Sequence, residues 1–351
     1  MTQHMLIVGG SGVTAQGAIK ELATQQWKIT TLSRHPLSHP QHPHITADLH
    51  NPQSLREHYP QLQCVSHIFY AALNPQANPQ REAEINGEMF RNIVEAVMDS
   101  GADLKRVIFL QGGKVYGAQL GIYKTPARED DSRHFPPNLY FEHEDFAKTL
   151  PNRGIGWTAL RPDIVIGHSL GSTMNLGNLI GIYGTMCKHL GVAMQFPGSE
   201  RAYKALVNVT ATEVLGKAVL WAAYNDKDGA FNITNGDQFR WQQLWPTIAQ
   251  WFGISEGMPQ PINLQQRLNE CSAEYWRVMA KEHCLAEPDI NQLALGAFGD
   301  FIFNVEHDAI FDVTKARQHG FQEMKLNSDS RIIEHLNEMV RRKLIPDPNA
   351  I

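Results

Sequence analysis

The segment around Tyr140 holds the residue types of an acid–base site in an unusual arrangement. Tyr140 stands in NLYFEHEDFAK, residues 138–148. A tyrosine with its ordinary pKa of about 10 is a poor proton donor unless a nearby cation lowers that pKa. The residue one helical turn later is the carboxylate Glu144, and no tyrosine of this chain has a lysine four residues after it. A cation that assists Tyr140 must therefore come from another segment.

Lys114 is the best candidate for that cation. It lies in VIFLQGGKVYG, directly after an apolar run that is typical of a buried strand. Ligands of doubly wound α/β folds bind where the carboxyl ends of parallel strands meet, and the loops there carry function. A lysine in a glycine-flanked loop at that edge could reach a ligand bound there. The alternatives are a solvated loop charge for Lys114 and a tyrosine packed on a helix for Tyr140.

A glycine-rich segment follows the first apolar run. In GGSGVTAQG, Gly9, Gly12 and Ala15 fit the pattern GxxGxxA. Small residues are needed there because the backbone must turn sharply and approach a pyrophosphate, whose charge is met by helix N-terminal amides. The position between an apolar strand and an amphipathic helix favours a dinucleotide site over a plain strand-to-helix turn.

The end of the second predicted strand indicates which dinucleotide binds. An NAD site usually places an acid there, whereas this chain has Ser33 and Arg34 in TLSRHP. A guanidinium matches a phosphate with two hydrogen bonds, and an acid would repel it. NADPH is therefore the predicted cofactor; the alternative for Arg34 is an ordinary surface charge. Asp48 is a candidate adenine contact, and Ala71 would let the cofactor lie close to the sheet.

The first 150 residues alternate short apolar runs with longer amphipathic ones, as βα units with a parallel sheet do. Helices are predicted at AQGAIKELATQ and REAEINGEMFRNIVEAVMDSG. The predicted strands are residues 4–9, 28–33, 66–71, 106–111 and 156–162. We predict an α/β protein with a doubly wound parallel sheet. Residues 1–166 would be the dinucleotide-binding Rossmann domain, and residues 167–351 mainly a smaller substrate-binding lobe, with some segments returning to the sheet.

Composition excludes several classes of protein. The net charge of −5 offers no basic face for nucleic acid. The four cysteines are scattered, which favours reduced thiols in a cytoplasmic protein. The sequence contains no run of about 18 apolar residues, so no membrane span is predicted. The histidine-rich run SRHPLSHPQHPHITADLH is interrupted by prolines and predicts an exposed loop, so no metal is expected.

Nine longer segments together resemble one protein family. They are HIFYAAL, INGEMFRNIVEAV, FLQGGKVYG, NLYFEHEDF, WTALRPDIVIG, MNLGNLIGIYGTMCKHLG, GAFNITNGDQFRWQQLWPTIAQWFG, AFGDFIF and FDVTKARQHGF. In this order the chain resembles the progesterone 5β-reductase and iridoid synthase-like family, an atypical branch of the extended short-chain dehydrogenases/reductases. The resemblance implies reduction of the carbon–carbon double bond of enones and enals with NADPH.

The resemblance also implies a catalytic pair. The family's tyrosine in N-F-Y-Y-x-x-E-D and its lysine in a K-H-Y loop fall on Tyr140 and Lys114. The second tyrosine of that pattern is Phe141 here, which implies that Tyr140 is the reacting one. The histidine after the loop lysine is Val115, although Tyr116 is kept. Because the tryptophan that plant members carry after the fourth strand is not present in AALNPQ, their substrates are not carried over.

The predicted contacts form two sets. The cofactor set is Gly9, Ser11, Gly12, Val13, Ser33, Arg34, Asp48, Leu49, Ala71, Gln111, Tyr140 and Ile164. The substrate set is Phe298, Met174 and Tyr116. Phe298 and Met174 would be apolar walls that suit a small hydrophobic enone or enal; the alternative for both is plain core.

The predicted mechanism is 1,4-addition of a hydride to an activated alkene. The Tyr140 hydroxyl would hold the enolate oxygen, and Lys114 would favour its negative charge. Such a reaction needs an oxyanion site more than proton delivery to a carbonyl. Two other interpretations share the fold: a nucleotide-sugar epimerase or dehydratase, and an NADP-binding redox sensor without turnover. A homodimer is compatible with the sequence.

Overall fold

The computed structural model describes residues 3–36, 41–168, 173–224 and 227–351. The chain forms two compact units, each made of several chain segments. The first unit comprises Met1–Asp163, Thr212–Ile233 and Asp312–Glu323. The second unit comprises Ile164–Ala211, Thr234–Phe311 and Met324–Ile351.

One parallel sheet organises the first unit. Within the described residues the strands are β1 (His4–Val8), β2 (Lys28–Ser33), β3 (His44–Thr46), β4 (His67–Tyr70), β5 (Arg106–Leu110), β6 (Gly156–Pro162), β7 (Ile164–Ile166), β8 (Met194–Gln195), β9 (Leu206–Val207), β10 (Val209–Ala211), β11 (Gly229–Ile233), β12 (Phe239–Arg240) and β13 (Glu256–Gly257). Seven of these strands form the sheet, in the order β11-β6-β5-β4-β1-β2-β3. The short pairs β7 with β10, β8 with β13 and β9 with β12 belong to the second unit.

Helices connect the strands. In the described ranges they are α1 (Val13–Thr24), α2 (Pro52–Arg56), α3 (Tyr59–Leu62), α4 (Pro79–Asp99), α5 (Leu139–Ala147), α6 (Leu176–His189), α7 (Glu200–Lys204), α8 (Thr212–Tyr224), α9 (Trp241–Trp251), α10 (Ala273–Glu282), α11 (Ile290–Leu293), α12 (Gly296–Phe303), α13 (Thr314–Gln318) and α14 (Ser328–Arg341). Single 3₁₀ turns lie at Gly113–Tyr116, Ala118–Leu120, Leu150–Arg153 and Pro348–Ala350, and a π-helix at Gln265–Cys271.

The predicted strands and helices of the first 162 residues are confirmed, with their ends shifted by one or two residues. Helix α4, for example, begins at Pro79 instead of Arg81. The Asn78 side chain accepts a hydrogen bond from the Arg81 amide, and proline suits the first helical position because it lacks an N–H. These two residues start the helix before its apolar periodicity becomes visible.

Both faces of the sheet are covered. Strands β1, β4 and β5 are almost wholly apolar and buried, as expected of a parallel sheet between two helical layers. On one face, Phe90 and Ile93 of α4 pack with Val107 and Phe109 of β5. Helix α8, which packs on α1, contacts β5, β6 and β11. The α/β doubly wound Rossmann fold is therefore confirmed.

The second unit has its own aromatic core. Trp241, Trp245, Phe196 and Phe303 are fully buried and lie edge to face or tilted against one another. The Trp245 indole donates a hydrogen bond of 3.0 Å to the carbonyl oxygen of Met194, which satisfies its one polar group.

None of the described helices combines the length and the apolar character needed to cross a membrane.

Gly9 makes the turn that joins β1 to α1. Its φ of +84° lies in the left-handed region, and a Cβ placed on it would lie 2.9 Å from backbone atoms of Ala71 and Ala72. The Gly9 amide also donates to the carbonyl oxygen of Leu32 at 2.9 Å. The ends of three strands therefore meet at a residue that has no room for a side chain.

Gly101→Ala is a matched control for Gly9→Ala, because Gly101 has a φ of +83° and nothing within 4 Å of its would-be Cβ. Gly101→Ala should lower the free energy of unfolding by about 1–2 kcal/mol through backbone strain alone. Gly9→Ala should lower it by clearly more, since the Ala71 backbone must also move. Urea unfolding measures the free energy of unfolding of both variants. Equal losses would show that the close approach of the Ala71 backbone to Gly9 does not add to the cost of the substitution.

Candidate active site

The turn after β1 fits a pyrophosphate. Helix α1 begins at Val13, and Gly12 caps it without any side-chain hydrogen bond to the first helical amides. Amides in the first turn of a helix have no carbonyl partner four residues earlier in the helix and attract an anion, although that of Ala15 donates to the Gly12 carbonyl at 3.1 Å. Ser11 is exposed beside them. Together with the side-chain-free approach at Gly9, this leaves a backbone cradle (residues 9–13) into which phosphate oxygens can enter.

The residues expected to select the cofactor lie at the end of β2. The Ser33 hydroxyl donates to the carbonyl oxygen of His35 at 2.7 Å and lies 3.2 Å from the Nε2 of His44. Arg34 is exposed and makes no ion pair with any described residue. Its guanidinium is thus available to an anion, whereas the Ser33 hydroxyl is engaged in the local loop.

The adenine side and the histidine-rich run show ordinary local bonding. Asp48 is exposed and accepts a hydrogen bond from the His50 amide at 3.0 Å, and the buried Leu49 offers its carbonyl oxygen to Asn92 at 2.8 Å. His39 lies outside the described residues. Within the described part of the chain, no group of three or more acidic, cysteine or histidine side chains could hold a metal ion.

Tyr140 stands in the first turn of α5, beside the end of β5. Its hydroxyl lies next to Gly112, where a Cβ would come within 3.3 Å of the hydroxyl oxygen. Burial raises the pKa of Tyr140 to about 12, and the negative charge of Glu82 acts in the same direction. A hydrogen bond from the Gly112 backbone acts in the opposite direction. Tyr140 therefore remains a neutral hydroxyl far above neutral pH.

Lys114 lies in the 3₁₀ turn after β5, and its ammonium points to an acid. The Nζ atom is 3.2 and 3.3 Å from the two carboxylate oxygens of Glu82, in the first turn of α4. The Lys114 side chain is 42% exposed and that of Glu82 only 13%. The cation expected to assist Tyr140 is thus held by a carboxylate that sequence reasoning did not single out.

Asn138 joins the two predicted catalytic segments. Its side-chain oxygen accepts the Tyr140 amide at 2.8 Å, which caps α5, and its Nδ2 donates to the carbonyl oxygen of Lys114 at 2.7 Å. His134 also lies 2.9 Å from that carbonyl oxygen. Asn138 is only 6% exposed. Its position directly before a helix was the sequence signal for the cap, but nothing in the sequence indicated the second bond.

Glu144, one turn after Tyr140, is a buried carboxylate with three cationic partners. Its oxygens lie 2.9 Å from Arg161, 2.7 Å from Lys148 and 3.3 Å from Arg133. Burial acts to raise the pKa of Glu144, but the Lys148 hydrogen bond and the charges of Arg161, Lys148 and Arg133 outweigh it and lower the pKa to about 2. Glu144 is therefore bound to cationic side chains within the protein.

Arg161 extends this ion pair into a buried polar network. Its Nε donates to the Gln111 side-chain oxygen at 2.7 Å, and its Nη1 donates to the Tyr116 hydroxyl at 3.0 Å. The Gln111 amide in turn donates to the carbonyl oxygen of Tyr140 at 3.0 Å. The Tyr116 hydroxyl donates to Asn232 of β11 at 2.5 Å. The network fixes the start of α5 relative to the ends of three strands.

These bonds occupy side chains that were predicted to contact ligands. The Gln111 side chain and the Tyr116 hydroxyl both bond within the protein, so the structure gives each a connecting role; cofactor contact by Gln111 and substrate contact by Tyr116 stay predictions. The ligand contacts predicted for Ile164, Met174 and Phe298 also stay predictions. These three residues belong to the second unit. There, Met174 is 43% exposed and Phe298 packs against the aromatic core.

A family of known proteins matches most of this chain. The model of the PRISE-like Rossmann-fold domain matches residues 45–346. The chain therefore belongs to the PRISE-like Rossmann-fold family, which confirms the resemblance seen in its sequence segments.

Curated relatives and a solved structure are similar to this chain over nearly its whole length. The 3-oxo-Δ4,5-steroid 5β-reductase of Arabidopsis thaliana is 28% identical, over 97% of this chain and 92% of the relative. An (S)-8-oxocitronellyl enol synthase of Nepeta cataria is 27% identical, over 97% and 91%. The crystal structure of Thermus thermophilus UDP-glucose 4-epimerase with NAD aligns with a TM-score of 0.66 at 15% identity, over 95% of this chain and 99% of that one, which shows a shared fold.

Removing Arg161 should be far more damaging than removing Arg133, although both bind Glu144. Arg161→Met leaves a buried carboxylate without its deepest partner, so we expect a loss of about 3–5 kcal/mol in the free energy of unfolding. Arg133 is 37% exposed, and Arg133→Met should cost about 0–1 kcal/mol. Urea unfolding of the two variants measures the difference. Similar losses would contradict the central role given to Arg161.

The lowered pKa of Glu144 predicts a particular acid sensitivity. Because this pKa is about 2 in the folded protein and ordinarily 4.5, the stabilisation is complete above pH 4.5 and is lost as pH falls towards 2. The stability difference between wild type and Glu144→Gln should therefore shrink over that range, as measured by urea unfolding at stepped pH. Glu84→Gln, an exposed change, should give a curve parallel to wild type. A constant difference for Glu144→Gln would contradict the prediction.

Proposed function

We propose that this protein is an NADPH-dependent reductase of the carbon–carbon double bond in enones and enals. Membership of the PRISE-like family supports a reductase. So do the names of the two relatives, one a 5β-reductase for a 3-oxo-Δ4,5-steroid, which is an enone, and the other an enol synthase. The reaction proposed is addition of a hydride to the β-carbon of the conjugated system.

The observation that carries the proposal is the state of Tyr140. Its pKa is raised to about 12, and the residue one turn later is a carboxylate that binds Arg161. Reduction of a carbonyl needs an acid that gives its proton to the new alkoxide, and the raised pKa makes Tyr140 a weaker acid than an ordinary tyrosine. Conjugate reduction needs a hydrogen-bond donor to the enolate oxygen, while solvent can protonate the α-carbon. A persistently neutral hydroxyl suits the second task.

The remaining residues would bind and orient the cofactor. The backbone cradle at residues 9–13 would hold the pyrophosphate, and Arg34 would face the 2′-phosphate that distinguishes NADPH; Ser33 would join it only after its hydroxyl leaves the His35 carbonyl. When bound, NADPH supplies the hydride. Lys114 would contribute positive charge near the enolate oxygen, and the carboxylate of Glu82 would partly offset that charge.

The test is NADPH consumption with 2-cyclohexen-1-one, a linear enal and progesterone, followed by product analysis. Wild type should give the saturated ketone or aldehyde. Tyr140→Phe should lower kcat/KM about 100-fold or more, as loss of one oxyanion donor does, and Lys114→Ala should also lower it. The matched controls are Tyr275→Phe and Lys105→Ala, since both side chains are exposed on the surface and should leave turnover unchanged.

Other outcomes would point to other functions. Alcohol products would mean that the carbonyl is reduced, and the proposal would be wrong. Tight NADPH binding without turnover of any compound would favour a redox sensor. Full activity of Tyr140→Phe would remove the oxyanion role of Tyr140 even if saturated products formed.

A further inference from the structure

The second unit contains a cavity of about 580 Å³ beside the end of α6. That volume lies in the range of about 300–1,000 Å³ that small-molecule sites occupy. All of the described residues that line the cavity belong to the second unit, and none of them is in the predicted catalytic, cofactor or substrate sets. The cavity is therefore a place in the fold that the proposed reaction does not use.

Apolar side chains form much of the cavity wall. Met186 of α6 and Leu268 are buried there, and Ile262 is partly buried. Leu190 and Val192 line the same cavity and are about half-exposed. The apolar wall thus continues from the interior of the unit to the solvent, which gives an apolar molecule a path of entry.

The polar groups of the cavity favour an anion. Arg267 is the one charged residue among the described residues that line it, so no acid of that set opposes a negative ligand. Arg267 is exposed and makes no ion pair with any residue of the described ranges. The side chains of Gln195 and Gln266 likewise make no hydrogen bond within the described part of the chain. A guanidinium without a partner, beside uncharged amides, can bind a carboxylate with two hydrogen bonds.

A π-helix supplies Arg267. This helix, Gln265–Cys271, belongs to a rare class of helix that is found frequently at functional sites. Asp300 accepts two backbone amides at its start, at 2.6 and 3.0 Å, and the buried Asn269 bonds to the backbone at the start of α12. At its end, the Ser272 hydroxyl donates to the carbonyl oxygen of Arg267 at 2.7 Å. The backbone that carries the guanidinium is therefore held in place before any ligand binds.

We propose that this cavity is a second ligand site of the protein and binds a small apolar anion, such as a medium-chain carboxylate, whose charge Arg267 meets. The apolar chain of the ligand would lie against Met186 and Leu268, and its carboxylate would lie at the π-helix. The inference goes beyond the proposed function and does not depend on it, because neither Tyr140 nor Lys114 takes part.

The reactivity of Cys271 measures whether the cavity is occupied, because this last residue of the π-helix lines it. Cys271 is exposed, whereas Cys187 in the same wall is buried; burial raises the pKa of the Cys187 thiol to about 11, which makes it unreactive. In a chain with Cys64→Ser and Cys284→Ser, iodoacetamide therefore alkylates Cys271. Rising octanoate should slow that alkylation in a saturable way. The uncharged 1-octanol should need a concentration about tenfold higher or more, because it lacks the hydrogen bond between charged groups.

Variants of Arg267 in the same chain test the role of the charge. Arg267→Gln should weaken octanoate binding by about tenfold or more, to the level of 1-octanol, and should leave 1-octanol binding unchanged. Arg267→Glu should abolish protection by octanoate and create protection by octylammonium. The matched control is Arg277→Gln, because Arg277 is exposed on α10 and is not among the described residues that line the cavity. This control should bind octanoate as the unsubstituted arginine does.

The inference would be wrong if octanoate gave no protection, if 1-octanol protected equally well, or if Arg267→Gln and Arg277→Gln bound octanoate alike. A parallel chain with Cys64→Ser and Cys271→Ser leaves the exposed Cys284, which is not among the described lining residues. If octanoate slowed the alkylation of Cys284 as much as that of Cys271, the effect would be that of a surfactant on the whole protein, and the site would be overturned. None of these measurements needs turnover, so failure of the proposed reaction would leave their result unaffected.

Discussion

The buried ion pair between Glu144 and Arg161 is the interaction on which the candidate site depends. A carboxylate taken out of water is costly unless it is paired and hydrogen-bonded, and Arg161 meets that need while its remaining nitrogens bind Gln111 and Tyr116. Because Glu144 and Tyr140 share one turn of α5, the ion pair determines where the Tyr140 hydroxyl lies relative to the end of β5. The polar network is satisfied within the first unit and reaches Tyr140 through its backbone carbonyl, which leaves the tyrosine hydroxyl out of the network.

Two carboxylates hold the positions of cationic side chains near Tyr140. Glu144 fixes an arginine inside the protein and has no part in the reaction proposed. Glu82 holds Lys114 at the edge of the site, and the lysine side chain remains half-exposed there. A reductase that protonates its product needs a cation close to the tyrosine, whereas an enzyme that only stabilises an enolate can leave the tyrosine neutral. The placement of both carboxylates is consistent with the second requirement.

Local patterns were sufficient to predict much of this fold. The predicted strands and helices of the first 162 residues follow from apolar runs, and the turn at Gly9 follows from glycine spacing between a strand and a helix. Strand β3 was missed, because it lies within the histidine-rich run that was expected to be an exposed loop. The choice of Tyr140 and Lys114 came from the chain's resemblance to a family together with the position of each residue at a strand end.

The polar partners of the site could not be predicted in the same way. Glu82, Asn138 and Arg161 are polar residues whose partners lie 32, 24 and 17 residues away in the sequence. Periodicity describes which face of an element is buried, but it does not describe which polar group meets another across the sheet. Asn138 and Glu82 also stand at helix starts, where a cap or a favourable dipole already accounts for their residue types.

The Asn138 side chain makes two hydrogen bonds, and this has a consequence for how the loop can change over evolution. The turn that carries Lys114 is held through its backbone carbonyl, so the side chain that follows the lysine does not determine where the turn lies. Val115, at the position where the family pattern has histidine, is simply buried. Drift at position 115 can therefore exchange a polar residue for an apolar one while Asn138 and His134 continue to hold the Lys114 carbonyl.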